Sequence, residues 1–190
     1  MRHILYLHGF RSSPESFKAR RLREYFARHN QSARFLCPQL PVSPAQAVQL
    51  ARELVKDIPS SQLVFIGSSL GGYYATALAE DLGCPAVLLN PAVHPTRDLE
   101  RHLGQQKAWH SDETFEFRAE YLQELAQLAV EKITHSERYF LLAATGDEIL
   151  DWQEMATHYE GARQHIIQGS DHGLSDFDLY INEVIEFCDA

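Results

Sequence analysis

The stretch "LVFIGSSLGGYYAT", residues 63–76, joins an apolar run to a helix-like segment through two serines set between glycines. Gly67, Ser69 and Gly71 spell G-x-S-x-G, after a run that reads as a strand and before one that reads as a helix. In so tight a turn the central side chain stands clear of the sheet. The positions two before and two after it crowd each other and the neighbouring backbone, and glycine relieves that crowding. The spacing selects Ser69 over Ser68, whose equivalent neighbours are Ile66 and Leu70. Ser69 is therefore the candidate nucleophile. The helix opening at Leu70 points free N–H groups and the positive end of its dipole toward a reacting carbonyl, so the Leu70 N–H is a candidate oxyanion donor.

Similar apolar runs recur on both sides of this stretch. "ILYLH" (4–8), "ARFLCP" (33–38), "PAVLLN" (85–90), "RYFLLAAT" (138–145) and "RQHIIQ" (163–168) join 63–67 as six strand candidates. They are mostly continuous rather than alternating, which suits strands covered on both faces of a parallel sheet. Helical patterns fall between them at 14–29, 43–58, 70–82 and 178–188, with Ser43 as a cap ahead of Pro44. Strand alternating with helix predicts an α/β fold with helices on both faces. Residues 91–137 break the alternation: no clear strand occurs there, and "FRAEYLQELAQLA" (117–129) reads as one amphipathic helix. A connection this long reads as a small helical lid or cap within a single domain over 1–190, or else as a plain crossover helix behind a long loop.

Composition excludes some functions. The 190 residues are 45% apolar and carry a formal net charge of −9. That argues against general binding of nucleic acid or anionic membranes, which need basic surfaces. No run approaches the roughly 20 apolar residues of a membrane span. Cys37, Cys84 and Cys188 are far apart and lack CxxC spacing, as expected of reduced, buried thiols. With no signal-peptide pattern at the N-terminus, the expectation is a cytoplasmic protein.

A serine nucleophile needs a base, and the base needs an orienting acid. In folds that carry this G-x-S-x-G elbow the chain order is serine, acid, histidine. Asp147 follows the 138–145 strand directly after Gly146, with Glu148 and Asp151 as rivals. His172 follows the last strand in a small-residue loop between Gly169 and Gly173. No histidine pair has metal-ligand spacing, so neither a metal nor another cofactor is expected. The loop after the first strand, "LHGFRSSP" (7–14), offers the second oxyanion donor: the Phe10 N–H, with Arg11 as rival.

Assembled in this way, the chain resembles an α/β-hydrolase and, more closely, the YqiA-like esterases. The resemblance rests on "YLHGFRSSP" (6–14), "GSSLGGYYAT" (67–76), "LNPAVHP" (89–95), "TGDEILD" (145–151) and "GSDHGLSDF" (169–177). It implies serine esterase or thioesterase activity with the triad roles on Ser69, Asp147 and His172. Because the sequence opens at the strand before the oxyanion loop, the sheet is expected without the two leading strands of larger members, six strands in the order 2-1-3-4-5-6. The expected partner is a small acyl ester or thioester of short to medium chain, and the rate should rise with pH as His172 loses its proton. Arg11 and Lys18 are candidates to hold an anionic leaving group at the site mouth. The competing readings are an α/β-hydrolase of another type, cleaving carbon–carbon bonds or transferring acyl groups, and a non-catalytic binding protein. Oligomeric state is left open.

Overall fold

The computed structural model describes residues 1–190. Eight strands form: β1 (His3–Leu7), β2 (Phe35–Leu36), β3 (Leu63–Ser68), β4 (Ala86–Leu89), β5 (Gly104–Lys107), β6 (Thr114–Phe117), β7 (Tyr139–Ala144) and β8 (Arg163–Ile167). Six build one sheet in the order β2-β1-β3-β4-β7-β8, with every pairing parallel. Its chain-order reversal between β1 and β3 makes a crevice at the carboxyl ends of the strands, where open α/β sheets place their ligands. The seven helices are α1 (Phe17–Arg28), α2 (Pro44–Val55), α3 (Leu70–Leu82), α4 (Pro95–Leu99), α5 (Ala119–Gln127), α6 (Trp152–His158) and α7 (Ile181–Asp189). This is an α/β-hydrolase fold.

The continuous apolar runs explain the two-sided burial. β3, β4 and β7 are buried at every position. Alternate residues of each strand enter different cores. Ile4, Tyr6, Val64, Ile66, Phe140 and Leu142 pack with Leu22 and Phe26 of α1 and Val184 and Ile185 of α7. Leu5, Leu7, Phe65, Leu88 and Leu141 pack with α2, α3, α5 and α6 through side chains such as Val48, Leu78, Leu125 and Met155.

Local signals set the helix ends. Ser43 Oγ accepts from the Gln46 N–H at 3.2 Å with Pro44 behind it, as the capping pattern requires. Glu124 of α5 reinforces the same end, accepting from Ser43 Oγ at 2.6 Å and the Ala45 N–H at 3.0 Å. Gly83 ends α3 in the left-handed region.

Several expected boundaries shift. Pro14 lies outside α1, which starts at Phe17, and the second strand is only two residues long. Leu179, inside the 178–188 helical pattern, lies in a short 3-10 turn before α7 and is 76% exposed. Leu54, at an apolar position of the 43–58 helical pattern, is exposed. The insertion at 91–137 is not purely helical. β5 and β6 form an antiparallel hairpin there, between α4 and α5. Phe117 of β6 is buried and Phe115 partly buried, both packed edge-on against Phe10 of the loop after β1. Tertiary packing against that loop supplies what the short, polar strand β5 lacks.

Candidate active site

Ser69 sits between β3 and α3 with φ 53° and ψ −122°, a conformation L-residues rarely adopt. Three backbone bonds hold it there. Its N–H donates to Leu89 O at 3.1 Å, and its carbonyl accepts from Gly72 at 2.9 Å and Ala92 at 3.0 Å. The flanking glycines are needed for space. A Cβ on Gly67 would lie 2.3 Å from Gly71 O, and one on Gly71 would lie 1.9 Å from Leu7 O. Ser68 is buried in the strand end and takes no part in this projection.

The other two residues converge on Ser69 from distant parts of the chain. His172 Nε2 lies 3.0 Å from Ser69 Oγ, and His172 Nδ1 lies 2.8 Å from Asp147 Oδ2. The Asp147 side chain is fully buried, and its other oxygen accepts the N–H groups of Ile149 and Leu150, each at 2.9 Å. A carboxylate only accepts, so it favours the imidazole proton on Nδ1. That leaves the Nε2 lone pair to accept from the serine hydroxyl. Of the rivals to Asp147, Glu148 accepts the His172 backbone N–H at 3.0 Å, and Asp151 caps α6 through the Gln153 N–H at 2.8 Å.

The loop after β1 lies against the serine. A Cβ on Gly9 would be 3.1 Å from Ser69 Cβ and 3.5 Å from its Oγ, so glycine permits this approach. His8 is buried, with Nδ1 3.1 Å from Gly9 O and Nε2 accepting the Leu40 N–H at 3.1 Å. Burial lowers its pKa, consistent with a neutral ring that braces the loop. Phe10 and Leu70 both line the cavity around Ser69. As the first residue of α3, Leu70 has an N–H without an intrahelical acceptor.

That cavity encloses about 610 Å³, with Leu70, Ala92, Leu99 and Leu150 among its apolar lining. Arg11 also lines it, but the hairpin occupies its guanidinium. Nε donates to Lys107 O at 2.6 Å, and the group stacks 4.4 Å from the Trp109 ring centre. The Trp109 N–H returns a bond to Arg11 O at 2.8 Å. Lys18 lines the cavity from α1 as a buried residue rather than at an open mouth.

Asn90 is a site residue to which the sequence reading gave no role. It is fully buried at the end of β4, with φ 43°. Its side chain donates to Asp171 O at 3.0 Å and His172 O at 3.1 Å and accepts the Ala144 N–H at 2.8 Å. An asparagine directly after a buried strand, followed by Pro91, was the available signal. The chain positions it holds lie 54 to 82 residues away.

Solved structures share the whole architecture. A putative hydrolase from Agrobacterium vitis S4 superposes with a TM-score of 0.76 at 19% identity, covering 98% of this chain and 87% of that one. Est1E from Butyrivibrio proteoclasticus, with ferulic acid bound, gives 0.70 at 14% identity over 98% and 88%. An esterase from Pyrococcus furiosus gives 0.67 at 13% identity over 99% and 81%. A family model described as an uncharacterised protein family, UPF0227, matches residues 3–189. With that match spanning nearly every residue, the chain belongs to the UPF0227 family, the YqiA-like esterase family that its five motifs resemble.

Proposed function

We propose that this protein is a serine hydrolase of carboxylic esters or acyl thioesters with short to medium acyl chains, working through an acyl-enzyme. The carrying observation is the contact chain from Ser69 Oγ to His172 Nε2 at 3.0 Å and from His172 Nδ1 to Asp147 Oδ2 at 2.8 Å. Its seating on a strained strand-to-helix turn supports the same reading. The esterases that share the fold make ester chemistry the natural first choice.

In this mechanism His172 takes the hydroxyl proton as Ser69 Oγ attacks the acyl carbonyl. Asp147 keeps the ring oriented and stabilises the imidazolium that forms. The Leu70 and Phe10 N–H groups receive the negative charge on the carbonyl oxygen, each donor worth about 3 kcal/mol of barrier. His172 then gives its proton to the departing alcohol or thiol. Water, deprotonated by the same imidazole, releases the acid from Ser69. The apolar lining residues of the 610 Å³ cavity receive the acyl chain in this mechanism.

A fluorophosphonate tests the reading directly, because it needs an activated serine but little substrate recognition. Intact mass should show one adduct on the wild type and none on Ser69→Ala. A folded wild type that stays unlabelled would sink the proposal.

A further inference from the structure

Ser16, Phe17 and Lys18 open α1, and all three line the cavity that holds Ser69 and His172. Two of them carry polar groups that their own fold does not satisfy. Ser16 is the N-cap residue, yet its side chain caps nothing. Its Oγ is the only buried side-chain nitrogen or oxygen in the protein without a hydrogen-bond partner. Such orphans are rare because each forfeits its hydration without return. The Tyr6 hydroxyl stands near Ser16 and Ser68 and interacts weakly with both, but it forms no full hydrogen bond to Ser16. Burial raises the Tyr6 pKa, so it stays a donor.

Lys18 is the second such group. The residue is 7% exposed, and Nζ donates to Gly173 O at 2.6 Å. An ammonium has three donors, and this one uses a single one. No carboxylate lies within ion-pair distance; Asp171 and Asp147 act on it only from further away. Burial pulls its pKa down from 10.5 to about 8, which leaves it charged at neutral pH. Holding one carbonyl needs neither a charge nor the spare donors, so the loop contact alone does not account for a buried ammonium.

The surroundings point the same way. The first N–H groups of α1 lack intrahelical acceptors and bring the positive end of the helix to this wall. Both carboxylates that line the cavity are already engaged. Asp98 accepts from Arg97 at 2.8 Å, and Glu148 accepts the His172 N–H at 3.0 Å. In a chain of net charge −9, this pocket therefore places a buried ammonium with spare donors beside the candidate nucleophile.

We infer that Lys18 Nζ and Ser16 Oγ form an anion subsite that binds a carboxylate or phosphate group carried by the substrate. The substrate class is then an anionic ester or thioester. The inference rests on the reading of Ser69 as nucleophile, but the subsite can be tested apart from it.

Two matched pairs of esters test it. The mono-4-nitrophenyl ester of glutarate against 4-nitrophenyl pentanoate places the charge on the acyl side. Acetylated 4-hydroxybenzoate against its methyl ester places it on the leaving group. In parallel, calorimetry titrates glutarate and inorganic phosphate separately into the wild type, Lys18→Met and Ser16→Ala, which tells the two anion chemistries apart. We expect at least a tenfold preference in kcat/KM for the charged member of one pair. It should fall to within twofold in Lys18→Met and weaken severalfold in Ser16→Ala, with calorimetric binding of one anion lost in step. No charge preference in either pair, or anion binding that survives unchanged in both variants, overturns the subsite. If no ester is hydrolysed while an anion still binds through Lys18, the nucleophile reading fails and the subsite stands.

Discussion

Asn90 and His172 are joined through the backbone of the histidine loop: the Asn90 amide donates to His172 O at 3.1 Å and to Asp171 O at 3.0 Å. Lys18 takes the next carbonyl, Gly173 O, at 2.6 Å. Three consecutive carbonyls of the His172 loop are thus held by two buried side chains from other elements. The imidazole can stand 3.0 Å from Ser69 Oγ because its own backbone is fixed.

Asn90→Ala removes two of those bonds and leaves the Ala144 N–H without its acceptor. The variant should lose about 2–3 kcal/mol of stability in urea unfolding. If Asn90 positions the base, kcat should fall about 10–100-fold with KM nearly unchanged. Asn90→Asp keeps the acceptor but not the donors, so it should show the same kinetic loss. A stability loss with unaltered kcat would make Asn90 purely structural.

Ser69→Ala should lower ester hydrolysis by at least about 10³-fold while leaving the fold intact. The φ of 53° at this position is strained for alanine as for serine, and not for glycine. Ser69→Gly should therefore be more stable than Ser69→Ala by about 1 kcal/mol. Equal melting temperatures for the two variants would argue against stored backbone strain.

Gly71→Ala has no room. Its Cβ would fall 1.9 Å from Leu7 O at the end of β1 and 2.7 Å from His8 O in the loop that follows, both backbone atoms. The expected cost exceeds about 4 kcal/mol, read as loss of soluble protein or a collapsed melting temperature. Gly169→Ala meets no atom within 4 Å and strains only its positive φ of 74°, so it should cost about 1 kcal/mol.

Lys18 gives the stability a pH signature. Its pKa is lowered from 10.5 unfolded to about 8 folded. Between those values the unfolded chain holds the extra proton, so folding stability gains as pH rises through this window. The charge of buried Lys18 penalises the fold below pH 8, and the penalty is relieved by pH 10.5. Relative to Lys18→Met, the wild type should gain up to about 3 kcal/mol across that range. Chemical denaturation of both proteins from pH 7 upward measures the difference, and parallel curves would show that Lys18 titrates normally.

Arg11→Ala should loosen the β5–β6 hairpin without unfolding the sheet. The variant loses the bond to Lys107 O and the stack on Trp109, worth about 1 kcal/mol at an exposed site. Amide hydrogen exchange should speed up across residues 104–117 and stay unchanged in β3 and β7. Uniform acceleration would mean that Arg11 supports the whole fold.

Much of this molecule is written in short-range pattern. Continuous apolar runs announce a parallel sheet because strands covered on both faces have no polar side to alternate. G-x-S-x-G announces the turn at Ser69 because only glycine tolerates backbone atoms closer than a Cβ allows. Asp147 and His172 are legible for a related reason: each follows a recognisable strand, and on this fold strand ends share one crevice. The hairpin was hidden because β5, "GQQK", carries no strand signal of its own. It pairs because Phe115 and Phe117 are drawn onto Phe10, about a hundred residues earlier in the chain. Asn90 was hidden in the same way, since it reads only as a residue ending a strand. Lys18 was legible as a candidate anion contact, but its burial and its bond to Gly173 O were not. Sequence determined which backbone conformations and core faces were affordable locally. Only tertiary structure decided which distant carbonyls meet a buried amide or ammonium, because burial and hydrogen-bond satisfaction belong to the packed assembly and not to any segment.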